Sequence, residues 1–178
     1  MMTLRNYEIG RLPILTPNAI TNANKSRSVK SKSIAEILTR CKLTLIADWL
    51  TRAKQTQALN HLHLSDEERT GHLPRLVDDL VVRLNRPKLP SKDSDAVESI
   101  AAIEHGLLRR KQGYTSGMLV QESRILQVTI FGALNENISI IEIPLLLPDI
   151  MIIADEVDSQ LTQTLESFMK VEQSSAAA

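Results

Sequence analysis

The stretch Glu104–Ile130, EHGLLRRKQGYTSGMLVQESRILQVTI, decides the fold. It ends one helical pattern, turns at Gly113-Tyr114-Thr115, and enters a second pattern that is apolar nearly all round: Met118, Leu119, Val120, Ile125, Leu126, Val128, Ile130, Phe131, Ala133 and Leu134. A helix with so little polar surface belongs at the centre of a bundle. Glu122 falls between Met118 and Leu126 in angle, so its carboxylate is expected in a partly dry environment. An unpaired charge there is costly or takes up a proton. Gly113 suits the left-handed position just past a helix end. The tight turn predicts that the two helices run back antiparallel, which makes Arg109 the expected partner of Glu122, with His105 as a second and Tyr114 at the turn between them. Such a structural lock costs about 3–5 kcal/mol to break when it is buried.

The helix that leads into this turn is read as opening at Asp95 and Glu98. Ala96, Val97, Ile100, Ile103, Leu107 and Leu108 cluster on one broad side, the expected core face. A second line, Glu98, Ala102, His105, Arg109 and Gln112, advances by 4, 3, 4 and 3 residues. It lies opposite that face and is either solvated or in contact with another helix or a dimer mate.

Further out, Ser33 and Glu36 have the spacing of a capping box. The first helix is expected from there to about Leu59, with a stripe of Ile34, Ile37, Leu38, Cys41, Leu45, Trp49 and Ala53. Ser65 and Glu68 repeat the box, and the acidic run Asp66-Glu67-Glu68 favours a helix N-terminus. Pro74 suits the first turn of a fresh helix carrying Leu73, Leu76, Val77, Leu80, Val81 and Leu84. Residues 87–95 read as a loop. The central helix is capped by Thr115 and expected to reach about Ile141. Pro144 and Pro148 then flank a break, and Asp149 opens a last helix to about Val171. Its seam, Ala154, Val157, Leu161, Thr164, Phe168 and Val171, suits a second copy, an exit helix or ordinary packing within the bundle. No run alternates like a strand, and prolines demote the β-flavoured 138–147. The expectation is all-α, about five main helices, as a helical bundle or a globin-like arrangement. Residues 1–32 read as a disordered basic leader, 33–172 as the helical domain and 173–178 as a flexible tail.

The chain has 178 residues, 43% of them hydrophobic, enough for one domain with a real core. Net charge is zero but unevenly placed. Residues 1–33 hold six Lys/Arg against Glu8 alone, whereas from Gln112 onward nine acids face only Arg124 and Lys170. Such a leader suits a nucleic-acid or membrane arm, yet its charges are dilute, and 3% aromatic content gives little material for base stacking. Neither partner is expected. One cysteine, Cys41, excludes an internal disulfide and reads as a buried small hydrophobe. There is no signal-peptide core at the start, and the most apolar window, 138–153, is broken by Glu142, Pro144, Pro148 and Asp149. A cytoplasmic protein is the expectation.

Groupings that do chemistry are missing: no G-x-S-x-G, no H-E-x-x-H and no glycine-rich phosphate loop. Asp78 and Asp79 are adjacent and point to different sides of a helix. His61 and His63 do not share a helical face, and His72 reads as a local cap or surface residue. No enzyme, metal or cofactor is expected.

The order His105-Gly106, Arg109, Gly113-Tyr114, Leu119-Val120, Glu122, Leu126, Ile130 resembles the N-terminal domain of stressosome co-antagonist (RsbRD-like) proteins, which also fronts some bacterial sensor kinases. His72-Leu73-Pro74, Leu76 and Asp78-Asp79-Leu80 are similar to that family's second segment, and Trp49 to its first-helix tryptophan. The resemblance covers roughly residues 34–170. Ser123 stands where the family often has an aromatic, and Gln127-Val128 where it often has basic residues. The resemblance implies a non-catalytic, globin-like sensor or scaffold in bacterial signal transduction and stress response, usually a homodimer. Such a domain hands its state to a C-terminal STAS or kinase output module. It also raises an alternative, a small-ligand or haem-binding sensor with His105 as ligand. Arg109 nearby, the scarcity of Phe and the want of a second axial candidate weigh against haem.

Overall fold

Four helices among the described residues start at a Ser or Thr whose side chain satisfies one of the first free backbone N–H groups. A computed structural model describes residues 32–86 and 98–176, with side chains through Lys170. Ser33 and Glu36 form the expected reciprocal box at the start of α1, Ile34–Gln55. Helix α1 stops at Thr56, and a single turn, α2, Gln57–Asn60, follows. The first helix is thus shorter than the predicted run to Leu59, because Thr56 adopts an extended conformation. Ser65 and Glu68 cap the short α3, Asp66–Thr70. Pro74 lies in the first turn of α4, Leu73–Leu84.

The next helix, α5, spans Ile100–Lys111, and Ser99 is its N-cap, donating no charge but accepting from the Ala102 N–H at 3.1 Å. Asp95, Ala96, Val97 and the predicted loop lie wholly or partly outside the described residues, as do residues 1–31 of the leader and the end of the tail. Thr115 caps α6, Ser116–Glu136, which ends five residues earlier than expected; a short 3-10 turn, Ile138–Ile140, follows. Gly113 has φ of 78°, the left-handed conformation that the turn requires. The last helix, α7, runs Ile143–Ala176 without the predicted break. Pro144 occupies its first turn, where a missing N–H is harmless, and Pro148, in the second turn, removes only one i→i−4 bond.

The described residues contain no strand; the one extended pairing is an isolated parallel bridge between Lys32 and Ile141, with the Lys32 N–H donating to Ile140 O at 2.7 Å. The fold class is therefore all-α, a helical bundle. Helix α1 lies against α6 and α4, while α7 runs past α5, α6 and α4. Ile34, Ile37, Leu38, Leu45, Trp49 and Ala53 enter the core from α1, as the stripe predicts, and meet Leu73, Val77 and Leu80 of α4 and Leu119, Leu126 and Ile130 of α6. Cys41 is only half-buried, and burial pushes its thiol up, which keeps it protonated.

Two expectations about α5 are overturned. The helices flanking Gly113 are not a close antiparallel pair, since α5 packs mainly on α7 and α6 mainly on α1. The faces of α5 are also reversed. Ile100 is 62% exposed, Leu107 38% and Leu108 41%, whereas Ala102, His105, Gly106 and Arg109 are buried. Gly106 explains the reversal. A Cβ there would stand 2.1 Å from Ser167 Oγ and 2.2 Å from the Thr164 carbonyl oxygen, so glycine is what lets α5 and α7 approach. Thr164 Oγ1 donates to Ala102 O across the same contact at 3.0 Å. The seam of α7 is spent here and in the core: Val157, Thr164 and Phe168 are buried within the chain.

Candidate functional site

The polar line of α5 meets α6 at Glu122. Arg109 is fully buried and Glu122 is 3% exposed. The guanidinium grips the carboxylate twice, Nε to Oε2 at 3.1 Å and Nη2 to Oε1 at 2.9 Å. Such a bidentate, charge-assisted pair is the strongest geometry available to these groups. Tyr114 donates its hydroxyl to Oε1 at 2.8 Å, and His105 Nε2 lies 3.2 Å from Oε2. Each carboxylate oxygen thus has two donors, which fills the acceptor capacity of an ionised carboxylate. The remaining donors of Arg109 go to Glu68 O at 3.0 Å and Gln112 Oε1 at 2.6 Å from Nη1, and to Arg69 O at 2.7 Å from Nη2, which also lies 3.4 Å from His72 Nδ1. All five guanidinium N–H groups are used.

The sequence brought together His105, Arg109, Tyr114 and Glu122, and the structure joins all four. Three further residues join the cluster in roles that the sequence did not assign to them. His72 was expected as a cap or surface residue; it makes no cap bond, and its ring stacks on His105 with centroids 3.8 Å apart and planes 10° from parallel. Trp49 meets His72 edge-on at 6.0 Å and donates its indole N–H to Glu122 O at 3.2 Å. Arg69, flanked by surface acids in sequence, is buried and donates to the carbonyls of Leu59, Leu62 and Leu64. It gathers the 59–64 connection, and its own carbonyl is held by Arg109.

Electrostatics follow from burial. Desolvation holds His72 well below the ordinary imidazole range, with His105 and Arg109 adding to the effect. Desolvation likewise lowers His105, although its bond to Glu122 pulls the other way. Burial, then the Glu122 charge, pushes the Tyr114 phenol up, so it remains a donor. Because the carboxylate only accepts, neutral His105 carries its proton on Nε2. Its Nδ1 is then a bare acceptor, buried and without a hydrogen-bond partner among the described residues.

One ligand atom from each of His72, His105 and Glu122 lies within 4.8 Å of the others, close enough to raise the question of a metal. The chemistry of the set argues against one. Glu122 has no free lone pair, Arg109 brings a full positive charge to the same carboxylate, and stacked rings aim their lone pairs along parallel planes. Beside His72 and His105 lies a hollow of about 30 Å³, lined also by Leu73, Leu119 and Thr164. That is the scale of a water molecule. His61 and His63 are exposed and stand apart from the cluster. Asp78 pairs with Lys42 at 2.8 Å and Asp79 accepts from Ser99 Oγ at 2.7 Å, so they act separately.

Comparison of the chain with protein-family models, with curated proteins and with solved structures found no match.

Proposed function

We propose that this chain is a non-catalytic bacterial signal-transduction domain, a sensor or scaffold of the stressosome co-antagonist N-terminal type, that acts through protein contacts in the cytoplasm. One observation carries the reading. Four of the residues that carry the resemblance, His105, Arg109, Tyr114 and Glu122, form one buried cluster in which the Glu122 carboxylate is fully engaged by the other three. A carboxylate with four donors is poised to hold three segments of chain together, and it has no capacity left to move a proton or bind an ion. No helix among the described residues is long and apolar enough to cross a membrane, which agrees with the cytoplasmic reading.

The reading includes a homodimer and an output partner of STAS or kinase type. Ile143, Leu147 and Met151, one turn apart along α7, are all exposed and present an uncharged apolar line suited to a second copy. Light scattering over a wide concentration range should report a dimer that Met151→Glu dissociates. A chain that stays monomeric at the highest concentration would refute the dimer, and failure to bind any STAS or kinase module in a titration would refute the output role.

A haem-binding or small-ligand sensor is the second reading. The bare Nδ1 of His105 is the observation in its favour. The neighbouring hollow is of water size, and His72 covers one face of the His105 ring. An absorption scan after haem addition should show no Soret band that depends on His105.

A further inference from the structure

The side of α5 that the packing leaves outside carries Glu104 and Lys111, and beside them an apolar stripe. Ile100, Ile103 and Leu107 recur at three and four residues, the spacing of one helical stripe, yet Ile100 and Leu107 are exposed and Ile103 is half-buried. Ile103 and Leu107 form one wall of an open groove of about 750 Å³ between α5 and α7. Its other wall and its end carry Asp155, Asp158, Glu166 and Glu98, against a single cation, Lys170, among the described residues that line it. Asp155 also lies 3.9 Å from Arg83, at the edge of ion-pair range. Along α7 the acids from Asp155 to Glu166 extend over about 16 Å, the length of three helical turns.

We infer that the α5–α7 groove docks a basic amphipathic helix of a partner protein, one with an apolar stripe flanked by Lys or Arg. The inference rests on the reading that the domain acts through protein contacts. The charge pattern selects the occupant. A second copy placed on this face would set four carboxylates against four more, a like-charge arrangement that disfavours association. A basic helix meets the rim with opposite charge while its stripe covers Ile103 and Leu107. This is helix-in-groove recognition, with apolar anchors for affinity and rim charges for rate and selectivity. The floor supplies small polar groups, Ser159, Thr162 and Ser167, which admit a close approach.

The probe is a synthetic helical peptide of Leu on one face and Lys on the flanks, titrated into the full chain by fluorescence anisotropy. Two control peptides replace Lys by Glu or Leu by Ser. The Asp158→Lys/Glu166→Lys double variant should weaken binding at least about tenfold at low salt, and Leu107→Ser by a similar factor that persists at high salt. Glu67→Lys/Glu136→Lys, with both changes on exposed positions elsewhere, should leave affinity unchanged. Every substituted position is exposed, and far-UV circular dichroism checks that each variant is folded. No binding at low salt, equal binding of the Glu peptide, or equal weakening by the Glu67/Glu136 reversal would overturn the proposal. Self-association that Leu107→Ser abolishes would give the face to a second copy and overturn it as well. A monomer that still binds the Lys peptide would sink the dimer and spare the groove.

Discussion

Helices α4 and α5 are each twelve residues long, and they follow opposite rules. In α4 the apolar residues Leu73, Leu76, Val77, Leu80 and Leu84 are buried, while Arg75 and Asp78 face solvent and pair with Glu104 and Lys42. In α5 the buried line contains His105 and Arg109, and the leucines stay outside. The difference lies in the partners. Arg75 finds its partner, Glu104, at the surface, whereas Arg109 finds Glu122, Gln112 and two carbonyls arranged around it inside. Ala102 and Gly106 also make the polar side of α5 the narrow one, so α7 can close on it. Which face of a helix goes inward depends on contact distance and satisfied bonds as much as on hydrophobicity.

The comparison breaks hardest at Arg109. Arg109→Met removes the countercharge and two of the four donors of Glu122, together with the Arg109 bonds to the carbonyls of Glu68 and Arg69, and should cost about 3–5 kcal/mol in chemical denaturation. On α4, Leu80→Ala should cost about 2–5 kcal/mol through the cavity it leaves. If Arg109→Met proves far milder than Leu80→Ala, the cluster is not a lock. Gly106→Ala tests the close approach of α5 and α7; overpacking of this kind costs about 1–3 kcal/mol, and contact with the Thr164 backbone oxygen places it at the upper end.

A gentler probe is acid. His72 and His105 have pKa values lowered by folding, so below about pH 6.5 the unfolded chain binds more protons than the folded one. Stability contributed by these neutral rings is present above that value and drains away as pH falls toward the folded pKa values. His72→Phe keeps a flat ring against His105 and removes one titrating site, so its stability should decline less steeply between neutral pH and pH 5. An identical slope in both proteins would mean that His72 is not buried neutral. The smallest effect belongs to the outer face of α5, where Leu108→Ser should change stability by no more than about 0.5 kcal/mol.

These contrasts show how far the residues could be read directly. Local rules were legible: the Ser33/Glu36 and Ser65/Glu68 boxes, Pro74 at a helix start and Gly113 at a helix end all depend on neighbours three or four residues away. The Arg109–Glu122 pair was legible because a charge on an all-apolar helix demands a partner, and the turn limits where it can be. Arg69 and His72 were not. Arg69 bonds to backbone carbonyls that converge only when the 59–64 connection is folded, and the ring of His72 is covered by rings from α1 and α5. The facing of α5 was misread because periodicity weighs side-chain polarity and cannot see that Gly106 admits a neighbouring backbone. Pro148 was misread for a related reason, since a proline so near a helix start interrupts little.

Trp49 is the only tryptophan in the chain, and its indole touches both the carbonyl of Glu122 and the edge of His72. Its emission is therefore a built-in optical gauge of the cluster, with no label to attach. A shielded indole emits toward the blue, and an imidazolium beside it quenches. Acid that charges His72 should dim the signal before the colour shifts red, separating the protonation of one ring from the opening of the whole bundle.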